Sequence, residues 1–200
     1  MRPHATGRLR LLIDILQGAG LAGAAGIRPF LPALVAGALA MADLGIDYEG
    51  TDYAYLEQPG WMLFVVLGLV VSVLLQRRGV SDETLDRSLL GAGGVLGATL
   101  SAATLADHGY SPWLGLAVGV ACATLANVAT RSLAGRVRAR LDADARSALP
   151  VYLEGTAVVL AALAVVVAPI SAVALAFFAF LLRGGKRREG EKYAGLRILR

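Results

Sequence analysis

Residues 11–42 read LLIDILQGAGLAGAAGIRPFLPALVAGALAMA, and this stretch decides the class of fold. Only Asp14 and Arg28 are charged in it. It is longer than the roughly 20 apolar residues that a membrane-spanning helix needs. It also exceeds the apolar core of a signal peptide, which has about 7–15 residues. The stretch therefore predicts retained membrane structure.

The rest of the chain has the same character. The protein is 56% hydrophobic and 17% charged, whereas a soluble domain carries about 25% charged residues. We predict one all-α integral membrane domain over residues 1–200, a polytopic bundle of about six spans with a broken or re-entrant first helix. The further apolar runs are 61–75, 88–106, 113–130, 151–168 and 169–182.

Basic and acidic residues alternate between the successive connections of the predicted spans. Cytoplasmic loops of membrane proteins are enriched in Lys and Arg. Both termini are therefore predicted to be cytoplasmic, in the bacterial inner membrane, with an even number of crossings. For this pattern to hold, the first run must cross only once. The basic segments are the N-terminus 1–10, a linker at 131–149 and the tail 183–200, and the acidic, extracytoplasmic loop is 43–60.

The glycines indicate close helix packing. Residues 17–26, QGAGLAGAAG, contain a G-x-G-x-x-G pattern. That pattern indicates nucleotide binding only between a strand and a helix, so we do not expect a nucleotide here. Small residues four apart let membrane helices approach closely, within the monomer or in a homo-dimer. Such pairs are Gly93 with Gly97 and Gly115 with Gly119.

Residues 26–32, GIRPFLP, break the first run. Pro29 and Pro32 each lack an N–H and disturb the preceding helical turn. In a membrane, the freed backbone groups must be satisfied by protein or water. If Pro29 opens a second half-helix, its N-terminal amides and Arg28 would form an anion site. The predicted substrate-binding set is Gly26, Arg28, Pro29, Phe30 and Pro32.

Arg28 has a structural alternative. A charge at mid-membrane costs about 2.5–3.5 kcal/mol on insertion scales, so it normally has a partner. Asp14 and Glu154 are the acids that would pair with Arg28, and both are predicted toward the cytoplasmic side. In a third interpretation, the side chain of Arg28 extends to the membrane–water interface. Arg87 and Asn127 are further ion-pair or coupling candidates.

Three stretches resemble an uncharacterised bacterial membrane family, domain of unknown function 4126. GIRPFLPALVAGAL at 26–39 resembles its Gly-apolar-Arg-x-Phe-Leu-Pro element. Residues 82–98 are similar to its second Arg-containing helix start, and residues 148–163 to a late helix carrying an acid, here Glu154. The resemblance implies a small polytopic membrane protein and no settled activity. Residues 28–32 also look like the Arg-x-Phe-x-Pro segment of the DedA family, where it belongs to a re-entrant helix.

The sequence offers little enzyme chemistry. We find no nucleophile-base or paired-carboxylate arrangement at the predicted membrane boundaries, and Cys122, His4 and His108 lack metal-ligand spacing. We therefore expect no enzyme activity, cofactor, metal or nucleic-acid partner. The predicted function is a transporter or lipid translocase for an anionic small molecule or lipid headgroup, with membrane lipids as partners. The alternative is a non-transporting scaffold or assembly protein, with a membrane-embedded enzyme last.

Overall fold

The computed structural model describes the backbone of residues 3–78 and 82–194, with side chains over 8–78, 87–142, 145–146 and 148–183. This part of the chain is entirely helical apart from its connections. The helices are α1 (Pro3–Ile27), α2 (Phe30–Met41), α3 (Pro59–Arg77), α4 (Asp82–Asp107), α5 (Pro112–Arg138), α6 (Ala143–Val166) and α7 (Pro169–Ala194), with a 3-10 turn at Ala54–Glu57.

The lengths of the apolar helices agree with a membrane-spanning bundle. Five of the described helices contain a stretch long and apolar enough to span a membrane. The shorter apolar helices are α2 and the Pro169–Arg183 part of α7. The predicted all-α polytopic membrane fold is confirmed.

Prolines mark the helix boundaries. Pro59, Pro112 and Pro169 each begin a helix, where the missing N–H is one of the unbonded donors anyway. Pro32 lies in the first turn of α2, which tolerates proline for the same reason. The predicted breaks at Pro29 and Pro169 are both confirmed, since helices end just before each and resume.

Helix α1 lies at the centre of the bundle. In the best apolar window of each helix, 67% of the α1 residues are buried, against 11% for α3. The glycines of α1 touch helices on different sides: a Cβ on Gly18 would lie 2.9 Å from Ser101 Oγ of α4, and one on Gly20 would lie 2.0 Å from Ser171 Oγ of α7. Helix α1 is thus the core element, and α3 is peripheral.

The same contacts set the helix directions. Gly18 lies against Ser101, whereas Ala22 lies against Gly97. Residue numbers therefore rise along α1 as they fall along α4, and the two helices are antiparallel. Helix α5 is antiparallel to α4 and hence parallel to α1, as the pairs Gly115–Ala102 and Gly119–Ala98 demonstrate. The predicted packing role of these glycines is confirmed.

These directions give the bundle two chemically different ends. We call the end where α4 begins and α5 finishes the basic end, because it carries Arg77, Arg78, Arg87, Arg131, Arg136 and Arg138. We call the other end, with the segment 43–57 and Asp107, the acidic end. Helix α7 runs parallel to α1, since Gly20 lies against Ser171 and Gly23 against Phe178, so Arg183 lies toward the basic end.

The first apolar run is a helical hairpin whose turn lies at the basic end. Helix α1 reaches that end at Arg28, and α2 returns from it along α3, with Phe30 against Gly68. After α2, Gly45 accepts a hydrogen bond from Gln17, near the middle of α1. The prediction that this run crosses once is therefore wrong, because the turn at Arg28–Pro29 reverses the chain.

The two termini do not share one end. Arg8 and Arg10, early in α1, lie toward the acidic end, and Arg183 lies toward the basic end. The expectation of a common end is wrong for these described residues. The physical reason is that Arg8–Ile27 is long and apolar enough to span by itself and its glycines dictate packing against α4, whereas exposed arginines constrain direction only weakly. Residues 1–2 and 195–200 of the predicted basic segments lie outside the described part of the chain, as do residues 79–81.

Hydrogen bonds close the acidic end. Gln17 Nε2 donates to Gly45 O at 2.9 Å and to Val165 O at 3.3 Å, which ties α1 to the 43–57 segment and α6. Tyr48 is fully buried beside Thr104, and its amide donates to the Glu57 carboxylate. Burial raises the pKa of the Tyr48 hydroxyl above its ordinary value. The segment 43–57 therefore forms a plug with specific contacts.

Candidate functional site

Arg28 occupies the turn between α1 and α2 at the basic end. Its amide completes the last turn of α1 by donating to Ala24 O at 3.2 Å. Its side chain is half-buried and lies near Leu89, two residues after Arg87 in α4. Arg28 therefore lies near the basic boundary of the spans rather than at mid-membrane, and the cost of burying its charge is correspondingly smaller.

A cavity of about 190 Å³ opens beside Arg28. A single water needs only about 10–15 Å³ on this measure, so the cavity has room for a small ligand group. Its described lining residues include three arginines and no acid. They are Ile27, Arg28, Leu89, Asn127, Thr130, Arg131, Ala134, Gly135, Arg138 and Leu153.

One face of α5 supplies most of the polar lining. Asn127, Arg131, Ala134 and Arg138 are spaced by four, three and four residues, which places them in one row along a helix. Helix α5 continues as a helix to Arg138, beyond the predicted end of its apolar run. The row therefore extends from the buried Asn127 to the cationic end of the helix.

The three guanidinium groups are suited to an anion. Arg28, Arg131 and Arg138 each have an interaction partner within the protein. A guanidinium carries five N–H donors and no acceptor. Phosphate and carboxylate oxygens match the planar donor fork of arginine, and bonds of this kind are about twice as strong as neutral ones.

A second recess lies on the other side of Arg28. It measures only about 10 Å³ and is bordered by Pro29, Phe30, Ser72 and Glu154. The predicted neighbour Glu154 is thus close to Arg28. This recess contains the start of α2, so the larger cationic cavity lies not at the predicted half-helix N-terminus but on the α5 side of the turn.

The other predicted site residues have structural surroundings. A Cβ on Gly26 would lie 2.2 Å from Ala123 O, so this glycine permits close contact of α1 with α5. Phe30 packs against Gly68 of α3. Pro29 and Pro32 are fully buried in the turn and the first turn of α2. Of the predicted substrate-binding set, Arg28 is the member that lines the larger cavity.

Asp14 does not lie with Arg28. It is buried near the acidic end, with Oδ1 at 3.5 Å from His108 Nε2. His108 Nδ1 donates to Thr104 O at 2.8 Å and lies 3.7 Å from an Asp107 carboxylate oxygen. The expectation that Asp14 could pair with Arg28 is not met, because the length of α1 between them separates the two by about 21 Å. Arg87 is exposed at the basic end.

Sequence reasoning missed Arg131, Arg138 and Thr130 as site residues. Arg131 and Arg138 were assigned to a basic linker outside the membrane. The overlooked signal is their helical spacing from Asn127. This spacing indicates that the helix of the apolar run continues past its first charged residue, Arg131, with Asn127, Arg131 and Arg138 on one face. A helix that ends in arginines on one face projects them together toward the boundary.

These features define a class: a polytopic helical membrane protein with a cationic cavity at one end of its bundle. Within that class, the chain belongs to the family with domain of unknown function DUF4126, whose profile matches residues 15–184. The match covers both sides of the cavity. The predicted family membership is therefore confirmed.

Comparison with curated proteins and with solved structures gave no match for this chain. The comparisons give no support to the resemblance of residues 28–32 to DedA proteins. The site must therefore be interpreted from its own chemistry.

Proposed function

We propose that this protein is a transporter or lipid translocase for an anionic substrate, which binds in the cavity at the basic end. One observation carries the proposal: arginine residues from two separate segments, the Arg28 turn and α5, line one cavity without an acid among its described lining residues. Grouping like charges is unfavourable in itself. An anion would offset that repulsion, which supports a binding role for the cavity.

We also propose an orientation, with the basic end in the cytoplasm of a bacterial inner membrane. Lys and Arg favour the cytoplasmic side, and most described arginines lie at this end. Arg8 and Arg10 are the exceptions at the acidic end. In this orientation Arg8 and Arg10 are outside, Arg183 is inside, and the cavity opens toward the cytoplasm.

Transport requires the cavity to become accessible from the other side. The acidic end is closed by the Gln17 and Tyr48 contacts, so this conformation corresponds to a state open toward the basic end. The hinge we favour is the Arg28–Pro29 turn, where two helices meet without a continuous hydrogen-bond ladder. Hinges of this kind absorb large backbone changes at few residues.

A scaffold or assembly role is the second candidate. The observation that favours it is the exposed apolar surface of α3, where Leu63, Phe64, Leu67 and Val71 face outward. Lipid or a second copy of the chain would cover this surface. Neither proposal requires covalent chemistry.

The test measures anion binding and flux by the purified protein in phosphatidylcholine nanodiscs and liposomes. The double variant Arg131→Gln, Arg138→Gln should bind inorganic phosphate about 10–100-fold more weakly, because each guanidinium contributes charged hydrogen bonds. Uptake of labelled phosphate, or flipping of fluorescent phosphatidylglycerol, should fall in parallel. The matched control is Arg136→Gln, on the same helix but outside the cavity lining, where its guanidinium donates to Ser132.

The control decides the interpretation. Equal losses in the Arg136 variant and the double variant would indicate general surface charge and reject the cavity. Absence of both uptake and flipping by a folded wild-type protein that still binds phosphate would favour the scaffold role.

A further inference from the structure

Asp14 and His108 face each other at the acidic end, where α4 finishes beside α1. The His108 Nδ1 atom lies 2.8 Å from Thr104 O. A carbonyl oxygen only accepts hydrogen bonds, so Nδ1 must carry a hydrogen. The other ring nitrogen, Nε2, is therefore the atom that gains or loses a proton, and it lies 3.5 Å from Asp14 Oδ1.

Without an added proton, this contact joins two acceptors. A neutral imidazole with its hydrogen on Nδ1 presents a lone pair on Nε2, and an ionised carboxylate has only acceptors. The Asp14 side chain is only 10% exposed, so water screens the repulsion poorly. One proton held between Nε2 and Oδ1 replaces the repulsion by attraction between a donor and an acceptor. The His108 side chain is 34% exposed, so this proton can exchange with the solvent.

We propose that Asp14 and His108 form a proton-binding site that holds the acidic end of the bundle closed. The ligand is a single proton taken from the solvent on the acidic side. This inference goes beyond the proposed function, because it concerns a different site and does not require the anion cavity.

Asp107 connects the site to the plug. Its carboxylate lies 3.7 Å from His108 Nδ1 and accepts from the Asp47 amide at 3.4 Å. Tyr48, the next residue of the plug, is fully buried near Thr104 and Asp107, and its hydroxyl has no hydrogen-bond partner among the described residues. A buried donor without an acceptor weakens this junction. A protonated His108 thus places a cation between the carboxylates of α1 and α4 at the point where the plug attaches.

The surrounding charges make closure depend on that cation. Tyr110 follows His108 closely, and Arg10, one helical turn before Asp14, is exposed. Residues 111–121 and 160–182, from the helices that pack around this end, include no titratable side chain. The plug itself has five acids and no Lys or Arg: Asp43, Asp47, Glu49, Asp52 and Glu57.

The sign of the pH dependence follows from these groups. When the proton leaves, Asp14, Asp107 and the acidic plug repel one another. The closed arrangement binds the proton more tightly than the open one, so closure is favoured at low pH and weakens as the pH rises. Histidine side chains ordinarily change charge between pH 5 and 8. In the proposed orientation, the site would respond to the pH outside the cell.

Nitrogen NMR of histidine-labelled protein in phosphatidylcholine nanodiscs tests the proton site. The chain has two histidines, so a His4→Gln background leaves the His108 signals alone. Neutral His108 should carry its hydrogen on Nδ1, and Nε2 should gain one as the pH falls from 9 to 6. In Asp14→Asn, whose amide donates to Nε2 without an added proton, His108 should lose its proton at a lower pH than in wild type. A neutral form with its hydrogen on Nε2 would overturn the inference.

Hydrogen exchange tests the effect on the plug. After correction for intrinsic rates, protection of the amides in residues 46–57 should fall about tenfold from pH 6 to pH 9 in wild type. Asp14→Asn and His108→Gln should remove most of this dependence, because the remaining partner then faces an amide that donates without an added proton. The matched control is Glu49→Gln, an exposed acid of the plug, which should keep the wild-type dependence.

The outcomes separate this inference from the anion site. Protection of the plug that does not change with pH in wild type, or that changes equally in Asp14→Asn, rejects the proton site. If a variant does not fold, the wild-type exchange profile and the hydrogen position on neutral His108 still decide. Neither measurement uses an anion, so failure here leaves the cavity proposal standing, and loss of phosphate binding alone leaves the proton site standing.

Discussion

The two ends of the bundle use their polar residues differently. At the acidic end, Gln17 bonds to Gly45 and Val165, and Asp14 lies beside His108. These polar groups meet one another across helices and close the bundle. At the basic end, polar side chains instead surround a cavity of about 190 Å³.

The central helix α1 connects the two arrangements. Its glycines allow neighbouring backbones to approach closely along its length, and its final turn carries the Arg28 side of the cavity. Tight packing below an open cavity is what a binding site on a rigid support requires. The comparison therefore suggests that stability resides in the closed end and the α1 contacts, and that ligand binding resides in the open end.

The largest expected effect compares two glycines on α5. A Cβ on Gly115, near the acidic end, would lie 2.5 Å from the Ala102 Cα atom, whereas one on Gly135, at the basic end, would meet nothing within 4 Å. Gly115→Ala should reduce the free energy of unfolding by about 3 kcal/mol, because backbone must move. Gly135→Ala should leave it unchanged or raise it by about 0.5–1 kcal/mol through helix propensity.

Thermal unfolding in detergent, followed by size-exclusion chromatography, measures both changes. Equal effects of the two substitutions would remove the distinction between a packed and an open end of α5.

A smaller effect concerns the plug. Gln17→Met keeps the shape of the side chain but leaves the Gly45 and Val165 carbonyls without this donor. The protein should lose about 2 kcal/mol of stability, and proteolysis within residues 43–57 should accelerate. The control is Gln76→Met, at the basic end of α3, which should change neither property. Unchanged proteolysis in the Gln17 variant would mean that other contacts hold the plug.

Local features of this fold were predictable from sequence. Pro29 and Pro169 break helices for reasons internal to proline, and the Gly93–Gly97 and Gly115–Gly119 pairs signal close packing in any arrangement. The direction of α1 was not predictable in this way. The distribution of charge predicts the direction of α1 from the N-terminal arginines. That direction depends instead on which glycine faces which helix, and this is a property of the assembled bundle.

The candidate site was predictable in part. Arg28 is conspicuous because it is a charge beside two prolines in an apolar run. Arg131 and Arg138 look like ordinary residues of a basic connection, because a hydropathy criterion places the end of the membrane span at the first charged residue. Only the continuation of α5 to Arg138 brings them beside Arg28. Helical spacing from Asn127 was the available signal.

The smallest effect is a pH dependence at the closed end. Burial raises the pKa of Tyr48 above its ordinary value, which is about 10. Its stabilising contribution is then fully present below pH 10. It is lost as the pH rises toward the folded-state pKa, because the unfolded state releases the proton first. Between pH 9 and pH 11 the loss should be about 1 kcal/mol.

Tyr48→Phe should abolish that part of the pH dependence and leave stability at pH 8 nearly unchanged. Thermal unfolding at pH 8, 9, 10 and 11 gives the comparison, and Tyr152→Phe, at an exposed position, should keep the wild-type profile. Ligand affinity at the basic end should be the same in Tyr48→Phe as in wild type at pH 8. A change in affinity there would mean that the plug and the cavity are coupled through α1, and the two ends would then have to be treated as one device.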